Sequence, residues 1–80
     1  MLDDLKHYKK LVGVKQSTKA IENGIVASVL IAKDCEQRVV RGIIELCDKQ
    51  SLPITYVDSM KQLGKACGIE VEAAVACILK

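Results

Sequence analysis

Tryptophan and phenylalanine are missing from this 80-residue chain, and tyrosine occurs twice, at Tyr8 and Tyr56. That argues against modules that hold single strands by stacking bases on aromatic platforms. Histidine occurs once, at His7, which reads as a surface helix residue rather than a base or ligand. The cysteines, Cys35, Cys47, Cys67 and Cys77, form no C-x-x-C pair, so the spacing of a tetrahedral zinc site is absent. There is no Ser/His/Asp set and no G-x-G-x-x-G motif. The expectation is therefore no enzyme, with no catalytic residue, bound metal or cofactor. No apolar run reaches the roughly 20 residues of a membrane span. Asp3, Asp4 and Lys6 stand where a signal peptide would be apolar. The chain is expected to be cytoplasmic, without a membrane partner, its thiols reduced and free. A strong charge of one sign is also lacking. The net charge is +2, so any nucleic-acid contact must come from local clustering rather than a basic tail.

Half of the residues are hydrophobic, nearly all aliphatic, which supports one compact domain over residues 1–80. Residues 2–11 read as a first helix. Asp3 and Asp4 lie in its first turn and Lys9 and Lys10 in its last, matching the helix dipole. Val12–Val14 reads as a short edge strand. A short helix follows between Gly13 and Gly24. Ile25–Ala32, β-branched and continuously apolar, predicts a strand covered on both faces, ending at Lys33-Asp34. Glu36–Gln50 is the clearest helix, with Val39, Val40, Ile43, Ile44 and Cys47 as its buried face. Ser51-Leu52-Pro53 breaks it, and Ile54–Val57 is a strand. Ser59-Met60-Lys61-Gln62 fits a capping box that opens a helix ended by Gly68. Leu63, Ala66 and Cys67 are assigned inward, Lys61 and Lys65 outward. Ile69–Glu72 reads as a loop and Ala73–Leu79 as another covered strand. This alternation predicts an α/β fold, a three-layer α/β/α sandwich around a mixed sheet of about four strands.

The stretch Gly13-Val14-Lys15-Gln16-Ser17-Thr18-Lys19-Ala20-Ile21-Glu22-Asn23-Gly24 carries the functional signal. Lys15, Lys19 and Asn23 share one helical face, with Gln16 beside them. Two lysines, an amide and a hydroxyl thus surround the free backbone N–H groups of a helix start, an arrangement suited to phosphate. The amide and ammonium groups can also reach base edges.

Three pieces together resemble the kink-turn-binding ribosomal-protein family, in particular its small bacterial members. They are Gly13-x-Lys15-Gln16-x-x-Lys19-Ala20-Ile21-Glu22, Val29-Leu30-Ile31-Ala32-x-Asp34, and Leu63-Gly64-x-Ala66-x-Gly68-Ile69-Glu70-Val71. The resemblance implies the same α/β/α sandwich. It also implies a target: a sharply bent RNA duplex with an internal loop and tandem sheared G·A pairs. The Gly13–Gly24 helix would dock its N-terminal end, with Gly13, Lys15, Gln16, Ser17 and Lys19, in the major groove at the bend. That groove is too narrow in ordinary A-form RNA. Ile69, Glu70 and Val71 would lie against the unpaired nucleotides, with core packing at a strand entrance as the other reading of Ile69 and Val71. Apart from the resemblance, Lys33 is a candidate phosphate contact, with simple solvation as its alternative. Ribosomal members carry Asn-Glu where this chain has Lys15-Gln16, a substitution the small bacterial relatives resemble. A lysine only donates hydrogen bonds, which shifts binding toward guanine O6/N7 and phosphate. The implied partner is structured RNA with a kink-turn (ribosomal, riboswitch or other), not DNA, and the protein is expected to act as a monomer. A competing reading is a protein-interaction module of a translation-linked assembly, its RNA binding weakened by the Lys15-Gln16 change.

Overall fold

The structure is a computed structural model that describes residues 8–80. Most of the helix expected at residues 2–11 lies outside the described residues. Where that expectation can be compared it is corrected, because Lys10–Val12 form a strand, β1. Lys9 and Lys10 are therefore not the last turn of a helix. The elements that follow are α1 (Val14–Glu22), β2 (Val26–Ala32), α2 (Gln37–Gln50), β3 (Ile54–Val57), α3 (Met60–Ala66) and β4 (Val75–Leu79). The short edge strand thus ends at Val12, two residues earlier than expected, and Val14 already belongs to α1.

The sheet order is β1-β4-β2-β3. β2 and β3 run parallel, joined through α2 as parallel strands require. β4 runs antiparallel to both of its neighbours, β1 and β2. α1 packs on α2 and on β1 and β4, whereas α3 packs against β2, β3 and β4. The result is a three-layer α/β/α sandwich with a mixed four-stranded sheet.

The core is aliphatic. Ile21, Ile31, Ile43, Leu63, Val26, Val29, Val40 and Val75 are fully buried, each side chain of that kind contributing about 1.5–3 kcal/mol. Cys47 and Cys77 are fully buried among them and act as small apolar residues. Two expectations of burial need correction. β2 is covered only in its second half, since Ala27 is exposed and the pairing with β4 is irregular between Val26 and Ser28. In α2 the inward stripe is Val40, Ile43 and Cys47, while Val39 points largely to solvent. The buried stripe is the i, i+3, i+7 set, which leaves Val39, one residue before it, on the rim of the apolar face.

This topology decides which loops meet. β2 and β3 end at Ala32 and Val57, β1 ends at Val12, and β4 starts at Val75. Ile31 pairs with Val75, Ala32 with Val57, and Val12 with Ala76. The start of α1, the Lys33–Glu36 loop, the turn before α3 and the Gly68–Ala74 segment therefore share one end of the sheet.

Candidate nucleic-acid interface

Gly13 makes the turn from β1 into α1. Its φ of 111° and ψ of 153° lie in a region that only glycine occupies readily. Its N–H donates to the Val75 carbonyl at 2.9 Å, and its carbonyl accepts from Ser17 N–H at 3.0 Å. The first bond pins the start of α1 to the start of β4, and hence to the segment that precedes β4. No side chain caps the helix and its first turn holds no acidic residue. The first N–H groups of α1, from Val14, Lys15 and Gln16, have no carbonyl one turn back within the helix. They sit at the positive end of the helix dipole, and Lys15 and Gln16 are exposed beside them.

Along the flank of α1, Gln16, Lys19 and Asn23 line an open groove of about 230 Å³ together with Leu11, Ala20 and Ile25. Spacing of three, four and seven residues puts the amide, ammonium and second amide on one side. Lys15 is exposed but stands outside this groove. Asn23 lines the groove and is absent from the candidate set above; its place on one helical face with Lys15 and Lys19 is the signal that points to it.

Ser17 needs correction. The sequence sets its hydroxyl among the groups around the helix start, yet its side chain is fully buried and its Oγ has no hydrogen-bond partner among the described residues. Positions 14, 17, 20 and 21 form the inward stripe of α1, so the hydroxyl faces the protein with Ala20 and Ile21. Thr18 is also occupied, donating from Oγ1 to the Val14 carbonyl at 2.8 Å.

Lys33 lies at the same end of the sheet, just after β2. Its N–H donates to the Val57 carbonyl at 2.8 Å. Its ammonium stands 3.4 Å from the Asp58 carboxylate with both side chains well exposed. Such a pair is weak, so Lys33 remains able to turn toward another anion. The residues between α3 and β4 divide. Ile69 is half-buried against the core, its N–H donating to the Gly64 carbonyl at 3.1 Å. Glu70 is exposed, and Val71 is 69% exposed. A single exposed valine is ordinary on a protein surface; what sets Val71 apart is its place at the same end of the sheet as the start of α1.

All four cysteines are buried as free thiols. Burial pushes Cys35, Cys47 and Cys67 above the ordinary thiol range. At Cys35 burial outweighs a lowering backbone hydrogen bond, and the Asp34 charge adds a smaller push upward; Cys77 adds to the effect at Cys47, whereas Lys10 partly opposes it at Cys67. Protonated thiols are poor nucleophiles. Among the described residues no group of three or more His, Cys, Asp or Glu could hold a metal ion. No helix there is long and apolar enough to cross a membrane.

The model of the ribosomal protein L7Ae/L30e/S12e/Gadd45 family matches residues 2–80. The chain is 52% identical over 68 residues to an RNA-binding protein of Caldanaerobacter subterraneus subsp. tengcongensis, covering 85% of this chain and 83% of that one. It is 50% identical over 70 residues to an RNA-binding protein of Halalkalibacterium halodurans, covering 88% and 85%. Among solved structures, a Giardia lamblia 15.5kD RNA binding protein superposes with a TM-score of 0.89 at 27% identity, over 99% of this chain and 70% of that one.

Proposed function

The chain belongs to the ribosomal protein L7Ae/L30e/S12e/Gadd45 family, and we propose on that footing that it is a non-enzymatic RNA-binding protein that recognises and holds kink-turns. One domain over residues 1–80 does this, as a monomer in the cytoplasm, on RNA with tandem sheared G·A pairs. The observation that carries the reading is the pairing of two unlike surfaces at one end of the sheet. The uncapped start of α1, with Lys15 and Gln16, supplies donors and positive potential. The segment with exposed Val71 supplies an apolar contact, and the Gly13–Val75 hydrogen bond ties the two together.

In the proposed complex α1 enters the opened major groove of the bend. Gln16 and Lys19 address the edges of the G·A pairs, Lys15 and Lys33 contact phosphate, and Ile69 to Val71 cover the unstacked nucleotides of the internal loop. Only a kinked duplex presents an open groove and loose bases together, so the protein selects shape before sequence. Affinity for a kink-turn duplex, set beside a control with its G·A pairs replaced by Watson–Crick pairs, tests this. Clear preference for the kink-turn is expected, and Lys19→Ala should cost about 1–3 kcal/mol of it. Equal, weak binding to both duplexes would leave protein interaction as the function.

A further inference from the structure

Asp34 follows β2 by two residues and is exposed. Its Oδ1 accepts a hydrogen bond from the Met60 N–H at 2.8 Å, across 26 residues of sequence. α3 has no acidic residue in its own first turn. Ser59 Oγ takes the Gln62 N–H at 3.1 Å, so Asp34 and Ser59 together satisfy donors that a helix start leaves open. The carboxylate also suits the positive end of the helix.

The same short helix carries the segment with Ile69 and Val71. The Met60 carbonyl accepts from Ala73 N–H at 3.1 Å, and the Gly64 carbonyl accepts from Ile69 N–H at 3.1 Å. Gly64 is buried, and a Cβ built there would overlap the Val71 carbonyl oxygen and stand 3.1 Å from its carbon. The Val71 peptide is therefore seated on a bare patch of α3 while its side chain points outward. Helix and segment are hydrogen-bonded at both ends and in van der Waals contact between, so they move together. What fixes α3 to the end of β2 by a side chain is Asp34.

We propose that Asp34 is a positioning residue: it locks α3 to the end of β2 and thereby sets where Ile69–Val71 stand relative to the start of α1, without touching RNA itself. This rests on the RNA-binding reading for its functional consequence but not for its structural one. The test compares Asp34→Ala with Asp34→Asn, which keeps the Oδ1 acceptor, by amide hydrogen exchange and by RNA affinity. Exchange at Ile69 and Ala73 should rise about tenfold in Asp34→Ala and stay near wild type in Asp34→Asn. Gly64→Ala, which drives the Val71 peptide off α3 from the other side, should raise exchange at the same amides while leaving the Asp34–Met60 bond intact. Asp34→Glu, which keeps the charge but displaces the carboxylate by one methylene, serves as the second route if Asp34→Ala is poorly folded: exchange at Ile69 and Ala73 should rise there too, and unchanged exchange would overturn the proposal. On a kink-turn duplex, Asp34→Ala should weaken binding by about fivefold in the wild-type background and much less in a Val71→Ser background, while its effect adds to that of Lys19→Ala.

Faster exchange confined to Met60, or equal coupling of Asp34 to Val71 and Lys19, would overturn the proposal by reducing the bond to a local cap or a general stability effect. A wild-type chain that binds no kink-turn would remove the RNA reading and leave exchange at Ile69 and Ala73 to decide the positioning role.

Discussion

Ser17 and its neighbours on α1 show how much depends on which way one small side chain turns. Lys15, Gln16 and Lys19 are exposed, and Ser17 between them is sealed inside with an unpartnered hydroxyl. A buried polar group without a hydrogen bond costs about 1–3 kcal/mol. Ser17→Ala should therefore hold or raise stability, by up to about 1 kcal/mol, and leave RNA affinity unchanged. Urea denaturation and a binding titration check both, and a loss of stability beyond about 1 kcal/mol would show that the hydroxyl has a partner. The position was legible from period alone, since 14, 17, 20 and 21 make one helical stripe. A hydroxyl ordinarily faces water, and here the helical period overrides that preference. Gly13 was the opposite case: its place before a helix suggested a turn, and its φ of 111° bears that out.

Elements were read well where their signals are local. The Ser59 cap, the Ile54–Val57 strand and the Gly24 and Gly68 stops follow from capping, β-branching and the left-handed freedom of glycine, and the break at Ser51-Leu52-Pro53 from the proline. At β1 the local charge pattern predicts helix and the structure is strand, because its pairing is set from a distance. Lys10, Leu11 and Val12 pair with Ile78, Cys77 and Ala76, covering an edge of β4 that nothing near residue 10 announces. The link between α1 and α2 was hidden for the same reason: Gln50 Nε2 donates to the Ile21 carbonyl at 2.8 Å across 29 residues. At the end of α2, Ser51 adopts the left-handed conformation, with φ 56° and ψ 37°. A side chain there costs about 1 kcal/mol or more that glycine avoids. Ser51→Gly should raise the urea midpoint by an amount equal to about 1 kcal/mol, and an unchanged or lower midpoint would mean that the flexibility gained by the unfolded chain cancels the relief.

For the whole molecule, the alternation of apolar strands and amphipathic helices carried the sandwich, because each layer must cover the next. The site was legible in its parts. The contact that joins them, from Gly13 to Val75, depends on strand order and was not. Burial of the thiols also acts at this scale. With Cys35, Cys47 and Cys67 held above the ordinary range, both folded and unfolded chains keep these protons below about pH 8.5. Above it the unfolded chain releases protons that the folded chain retains, so stability falls as pH rises. The urea midpoint should drop between about pH 7 and about pH 9.5, less so in a Cys35→Ala/Cys67→Ala variant; an equal drop in both would assign the effect to other groups. The central claim, that this surface holds a bent RNA, is tested most directly by a kink-turn duplex labelled at both ends for distance and titrated with the protein over a salt series. The account predicts that the ends draw together at saturation, with log K falling as log[salt] rises, and that the Watson–Crick control stays extended. Binding that leaves the kink-turn ends apart, or that bends both duplexes alike, would contradict it.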